Sequence, residues 1–373
     1  MGIYLDNAAT TQIDEKVLKV MSLVMKEDYG NPSSIHKKGE EVRDLLNRSR
    51  RTIAKKIGCK DNELFFCSGG TEANNLAIRG ILGKTKKKGI ICSKIEHASI
   101  LRLCKELEDE GYKVKYLDIN EEGFVDLKQL SKLINNNTAL VTIMHANNEI
   151  GTIQDIKKIG NICKRQKVPF HCDAVQSLCK QAINVKDLNV TSMSFSAHKI
   201  HGPKGVGALY VRRKIFLKPL FYGGGQEKRL RPGTENVPGI VGFAEAVSAK
   251  CNGLKINKLR DYFLKRILKE IQGTKLNGSE NSRLCNNLNV RFENVEGESL
   301  LFHLNLKEIY VSTGSACSAR EIGPSKILQA LGLDEKEIQE SIRFSLSKFT
   351  TKEEIDYTVD TLKEIVKTLR EVK

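Results

Sequence analysis

At 373 residues and 40% hydrophobic content, the chain has material for two or three domains around a large core. Charged residues make up 28%, and no run approaches the ~20 apolar residues that cross a bilayer, which excludes a membrane-spanning helix. The net charge of +16 is spread over the chain: its densest run, Lys84 to Lys88, is short, and there is no Trp for stacking, so the lysines read as solvated faces and direct nucleic-acid binding is not expected.

The N-terminus lacks the basic-then-apolar order of a secretory signal, and Asp6 stands where a myristoylation motif wants Ser or Thr. A cytoplasmic protein is expected. Ten cysteines without a Cys-x-x-Cys pair point to reduced, mostly buried thiols, and no metal site is expected.

In chain order, Val42, Leu45, Leu46, Ile53 and Ile57 recur at helical spacing, and Gly58 is placed to end that helix. A strand is predicted over Leu64–Cys67, then a glycine turn, Ser68-Gly69-Gly70-Thr71-Glu72-Ala73-Asn74, then a helix over Glu72–Ile81. The free N–H groups of such a helix start, with the Thr71 hydroxyl, suit a phosphate. Gly80 to Thr85 has the wrong glycine spacing for a nucleotide-binding P-loop. Strand Ile90–Ser93 leads to Ile95-Glu96-His97 and a helix over Ser99–Glu110. His97 can stack on a ring and move protons, or be a polar surface residue.

Strands follow at Val114–Leu117, Ala139–Met144, Pro169–Cys172, Ser192–Ser196 and Val206–Val211, with a helix at Ile156–Gln166. This alternation argues for an α/β sheet, mostly parallel. Asp173 follows the fifth strand, where α/β sheets place their ligands. It can keep a pyridine nitrogen protonated, with Gln176 on a phenolic oxygen, or cap a helix. Ser196-Ala197-His198-Lys199 ends the sixth. Lys199 there can form a Schiff base with an aldehyde cofactor, and Ser196 and His198 offer donors to phosphate, although a loop lysine alone is more often surface charge.

The sheet and its helices are assigned to a large domain, 14–253; residues 1–13 and 254–373 form a smaller α/β domain. The latter is predicted to run helix, strand (Leu288–Phe292), helix, strand, helix, strand, helix. Within it, Ser312-Thr313-Gly314-Ser315-Ala316-Cys317-Ser318-Ala319-Arg320 is nearly all small residues and suits an accessible thiol at Cys317. Arg343, in a β-prone run, can clamp a carboxylate or form a structural salt bridge. Thr351 with Glu354 makes a capping box, followed by an apolar stripe of Ile355, Val359, Leu362, Val366 and Leu369.

Lysine, aspartate, phosphate cradle, stacking histidine and arginine clamp together make the parts list of a pyridoxal-phosphate (PLP) enzyme. The chain resembles the cysteine desulfurases of the NifS/IscS family, class-V aminotransferase-like enzymes with the aspartate-aminotransferase-like fold. The resemblance runs from Tyr4-Leu5-Asp6-Asn7-Ala8-Ala9-Thr10-Thr11 through Tyr29-Gly30-Asn31-Pro32-Ser33-Ser34, Asn147-Asn148-Glu149-Ile150-Gly151, Gly223 to Glu227 and Arg231-Pro232-Gly233-Thr234-Glu235-Asn236, to the Cys317 loop and Arg343. Gln12, Cys179, Ser347 and Gly323 depart from the family pattern, and none is a catalytic part.

The resemblance implies that Lys199 carries the cofactor, Asp173 pairs with its ring nitrogen, and Gln176 binds its phenolic oxygen. His97 stacks on the ring, and Gly70, Thr71, Ser196 and His198 hold the phosphate. Thr234 reaches a neighbouring subunit's phosphate, which implies a homodimer. Asn148, Arg343 and Asn31 bind L-cysteine, and Cys317 takes its sulfur as a persulfide, leaving alanine. The same pattern implies that Cys317 can transiently ligate a transferred iron–sulfur cluster. The sulfur acceptor is expected to be an iron–sulfur scaffold or a tRNA- or cofactor-thiolation enzyme. The chain's end soon after its last helix leaves out a tail that helps some members dock the scaffold. Selenocysteine or cystine lyase activity on the same fold, and a basic binding protein that keeps only the fold, are the alternatives.

Overall fold

The computed structural model describes residues 2–249, 252–314 and 325–371. Among the described residues, twelve strands run β1 Ile3–Tyr4, β2 Leu64–Cys67, β3 Gly89–Ser93, β4 Lys113–Leu117, β5 Thr138–Thr142, β6 Phe170–Asp173, β7 Ser192–Ser196, β8 Gly207–Val211, β9 Thr274–Leu276, β10 Asn287–Phe292, β11 Ile309–Tyr310 and β12 Ser341–Ser345. Seven of them form one sheet in the order β2-β8-β7-β6-β5-β3-β4. Only β8 runs against its neighbours, so the other six share one direction.

The central strands β5, β6, β7 and β8 are buried along their whole length. A parallel sheet covered on both faces demands continuous apolar or small residues, and Thr138-Ala-Leu-Val-Thr142 meets that demand. Every predicted strand of this sheet forms, with ends displaced by two residues at most. The edge strand β4 exposes Lys113 and Lys115, which discourages pairing with another chain.

Helices form where the apolar periodicity placed them. Lys37–Ile57 ends at Gly58, whose φ of 74° lies in the left-handed region and whose N–H closes onto Ala54 and Lys55. Helix Lys352–Glu371 begins with the reciprocal Thr351–Glu354 bonds, at 2.9 and 3.2 Å. Its Ile355, Val359, Leu362 and Val366 are buried in a second apolar cluster with Phe263, Phe292 and Phe344. Leu5 belongs to the same cluster, because β1 pairs with β11 in parallel.

The elements that escaped the sequence include β1, the helices Glu15–Glu27 and Val237–Ser248, and β9. Strand β9 pairs antiparallel with β10, giving the sheet order β12-β10-β9. It is three residues of a half-exposed edge, too short for a period to register.

Candidate active site

Five strand ends converge on one cavity. Because β2, β3, β5, β6 and β7 point the same way, their carboxyl ends open together, as expected of a ligand site in an α/β sheet. The chain leaving β2 gives Gly70 and Thr71; β3 gives His97; β5 gives Met144 and Asn148; β6 ends on Asp173; β7 ends on Ser196 before His198 and Lys199. These residues, with Ala8, Ala9, Asn74, Val175, Gln176 and Arg343, line a cavity of about 140 Å³.

Lys199 sits in a single helical turn, Ala197–Lys199, at the end of β7. Its Nζ donates to the carbonyls of Ala8 and Ala9, both at 2.6 Å. Gln176 Nε2 donates to the same Ala8 carbonyl at 2.9 Å. The N-terminal segment therefore forms one wall.

Asp173 is buried, and its carboxylate accepts from Asn74 Nδ2 at 2.7 Å and from the Val175 N–H at 2.9 Å. It caps a turn, not a helix. His97 does cap a helix, Ala98–Asp109: its Nδ1 accepts from the Ser99 N–H at 3.1 Å.

At the other end, helix Gly70–Leu82 starts without a capping side chain, which leaves its first N–H groups toward the cavity mouth. A Cβ on Gly70 would lie 2.6 Å from Val175 Cγ2, so close packing requires glycine here. Ser196 Oγ is buried without any hydrogen-bond partner. His198 Nδ1 lies 3.2 Å from Thr10 Oγ1, and burial, helped by the charges of Lys199, Lys204 and Lys180, pushes its pKa down to about 4. A neutral imidazole results, able to donate without adding charge.

Arg343, 1% exposed on β12, holds Asp6 Oδ1 at 2.6 Å and the Asn148 carbonyl at 3.2 Å, while its Nε has no partner. The structural salt bridge is thus present, and the Nε donor remains over for a carboxylate. Asn148 Oδ1 is likewise buried without a partner. Below the floor lies Glu96. Burial drives its pKa up to about 8 against the lowering bonds from Ser93 and the Met144 N–H, and the Asp173 charge adds to the rise.

The other predicted site residues fall elsewhere. Asn31 is exposed, with its Oδ1 on the Ser33 N–H, and Thr234 is exposed on a loop; neither lines the cavity. Cys317 lies outside the described residues. Its described flank, Ser312, pairs with Arg343 by backbone bonds of 3.2 and 2.6 Å. Sequence reasoning assigned no role to Asn74, Asp6 or the Ala8 and Ala9 carbonyls. Asn74 was within reach, since it lies one helical turn after Gly70 on the same face; backbone carbonyls carry no such signal.

An orphaned hydroxyl, an uncapped helix start, a lysine amine and an aspartate held by two donors match the demands of PLP: phosphate, aldehyde and ring nitrogen. The Aminotransferase class-V family matches residues 3–358. The chain is 46% identical to the cysteine desulfurase IscS of Dictyoglomus turgidum, over 99% of this chain and 96% of that protein. Among solved structures, a NifS-like protein is 38% identical, with a TM-score of 0.92 over 99% of this chain and 100% of that one. SspA in complex with cysteine is 37% identical, with a TM-score of 0.85 over 94% and 100%.

Proposed function

Since the chain belongs to the class-V aminotransferase family and stands among its cysteine desulfurases, we propose how its own residues carry out PLP-dependent desulfuration of L-cysteine. The reaction is L-cysteine plus the Cys317 thiol giving L-alanine plus the Cys317 persulfide. Atoms balance without an outside oxidant, because the sulfur leaves carbon as it gains the second sulfur. The carrying observation is the convergence of Lys199, Asp173 and the unpartnered Ser196 hydroxyl on one cavity.

Bound there, PLP supplies an electron sink for the carbanion left at the substrate α-carbon. Lys199 would hold its aldehyde and, once released by the substrate amine, would serve as the base for the α-proton. Asp173, fixed by Asn74 and Val175, would pair with the ring nitrogen, and Gln176 would bind the phenolic oxygen. Ser196, His198, Thr71 and the Gly70 N–H hold the phosphate. Arg343 takes the substrate carboxylate through N–H groups not engaged by Asp6, and Asn148 Oδ1 accepts from the substrate or cofactor. His97, in the cavity wall, would cover the ring and handle the proton at sulfur.

Cys317 receives the sulfur. Supporting this role, the chain departs toward Cys317 from Ser312, which is paired to the substrate arginine. Residues 14–253 act as the large domain; residues 1–13 join 254–373 as the small one, in keeping with Leu5 in the Phe263–Phe344 cluster. A homodimer fits the exposure of Thr234 outside its own cavity. Asn31 has the same exposure and is assigned to substrate only with a second copy present. The cytoplasm is the proposed site of action, with an iron–sulfur scaffold or thiolation enzyme as acceptor. Among the described residues, no helix is long and apolar enough to cross a membrane.

The test is alanine and sulfide formation from L-cysteine and a thiol reductant by wild type and Cys317→Ala. Turnover lost in the variant with the cofactor retained supports the proposal. No alanine from PLP-loaded wild type overturns it.

A further inference from the structure

Asn74 joins Asp173, assigned to the cofactor's ring nitrogen, to Ser99, which meets His97, assigned to the ring face. Its side chain is 1% exposed. Nδ2 donates to Asp173 Oδ2 at 2.7 Å and to Ser99 Oγ at 2.9 Å. Oδ1 lies 3.0 Å from His171 Nε2, and His171 Nδ1 lies 2.9 Å from Ser192 Oγ. This amide has one orientation: reversed, its oxygen would face a carboxylate that can only accept.

The Ser99 end of the network dictates the state of His97. The Ser99 N–H donates to His97 Nδ1 at 3.1 Å, and a backbone N–H cannot accept. His97 Nδ1 therefore carries no proton, and the neutral ring carries it on Nε2. Ser99 Oγ, 2.8 Å from the same Nδ1, already accepts from Asn74 and so has its own hydrogen to give. Two donors thus converge on Nδ1.

We propose that Asn74 and Ser99 are positioning residues that lock the His97 imidazole in its Nε2–H tautomer and couple it to the Asp173 carboxylate through a single amide. The inference rests on the reading that His97 and Asp173 flank the cofactor ring. Its consequence is that His97 meets the substrate as a donor. To accept at Nε2, the ring must first give up that proton or move it to Nδ1, at the loss of both Ser99 bonds.

The experiment uses the full chain labelled with 15N-histidine, read by long-range proton–nitrogen correlation, both PLP-free and PLP-loaded. His97 is identified as the ring signal missing from His97→Gln. Wild type is expected to show a protonated Nε2 and a bare Nδ1 in both forms. Ser99→Ala keeps the backbone donor, so Nε2 is expected to stay protonated while the Nδ1 signal moves as its hydroxyl donor is lost, and Asn74→Ala, which unties that hydroxyl, is expected to move Nδ1 in the same direction by less. Ser99→Thr, which keeps the hydroxyl, is expected to restore the wild-type pattern. Unchanged signals from the other histidines in Ser99→Ala certify its fold. A wild-type Nδ1–H pattern overturns the proposal, as do folded Ser99→Ala and Asn74→Ala proteins whose His97 signals stay at their wild-type positions. A chain that shows the expected tautomer yet makes no alanine supports this inference while overturning the desulfurase reading.

Discussion

Arg231 grips Glu72 with Nε at 2.9 Å from Oε1 and the second arm at 3.3 Å, one residue beyond Thr71 in the first turn of the phosphate-cradle helix. Glu72 Oε2 also accepts from the Ser68 N–H at 2.7 Å. Burial raises the Glu72 pKa, but the Arg231 and Ser68 bonds outweigh it and hold the carboxyl below its usual range. An anion thus stands beside the proposed phosphate site, neutralised by one guanidinium. Arg231→Ala is expected to weaken PLP binding by about tenfold, roughly 1–2 kcal/mol for a half-buried pair. Glu72→Gln on top of it should recover much of the loss. Fluorescence titration of PLP into the cofactor-free proteins reads both; equal affinities for wild type and Arg231→Ala would remove the electrostatic role.

Gly70 meets the Val175 side chain at 2.6 Å if given a Cβ. Gly70→Ala is expected to push the cradle off its seat, costing about 1–3 kcal/mol through overpacking. Val175→Ala should relieve the clash, so the double variant should hold PLP better than Gly70→Ala alone. Thermal denaturation with and without PLP checks this.

For the substrate clamp, Arg343→Lys keeps the charge and loses the planar fork. Its kcat/KM for L-cysteine is expected to fall by about a hundredfold, near 3 kcal/mol for a charged hydrogen-bonded pair, mainly through KM. The visible absorption of bound PLP should stay. A variant with unchanged KM would assign Arg343 to Asp6 alone, as a structural salt bridge.

Glu96 makes stability depend on pH. Its folded-state pKa of about 8 exceeds the ordinary 4.5, so the folded chain holds this proton more tightly than the unfolded one. The associated stability is complete below about pH 4.5 and is lost as pH rises through about 8. Glu96→Gln is expected to match wild type near pH 5 and exceed it near pH 9 by on the order of 3–5 kcal/mol. Urea unfolding at both pH values measures the gap; a variant less stable than wild type at pH 9 would show that the charged form is stabilised by partners.

The sheet was legible because its central strands are buried on both faces and read as short apolar runs between helices. The cavity was legible for the same reason: a residue just past such a run, as Asp173 and Lys199 are, lies at a strand's carboxyl end. What stayed hidden has no side-chain signature. The Ala8 and Ala9 carbonyls that hold Lys199 belong to a segment nearly two hundred residues away, and β9 is too short to show a period. Asn74 looked like one polar residue in a helix, because its role depends on Asp173 and Ser99 approaching from strand β6 and from the helix Ala98–Asp109. Asp6 was read as part of a family motif, and its bond to Arg343 exists only because β1 docks on the C-terminal unit.

The most direct measurement is a single turnover: PLP-loaded protein mixed with one equivalent of L-cysteine without reductant, then digested for peptide mass spectrometry, with alanine counted in parallel. The expected result is one added sulfur on the Cys317 peptide, matched by one alanine. Sulfur on a different cysteine, or undiminished alanine formation by Cys317→Ala, would contradict the assignment of Cys317 as the sulfur acceptor.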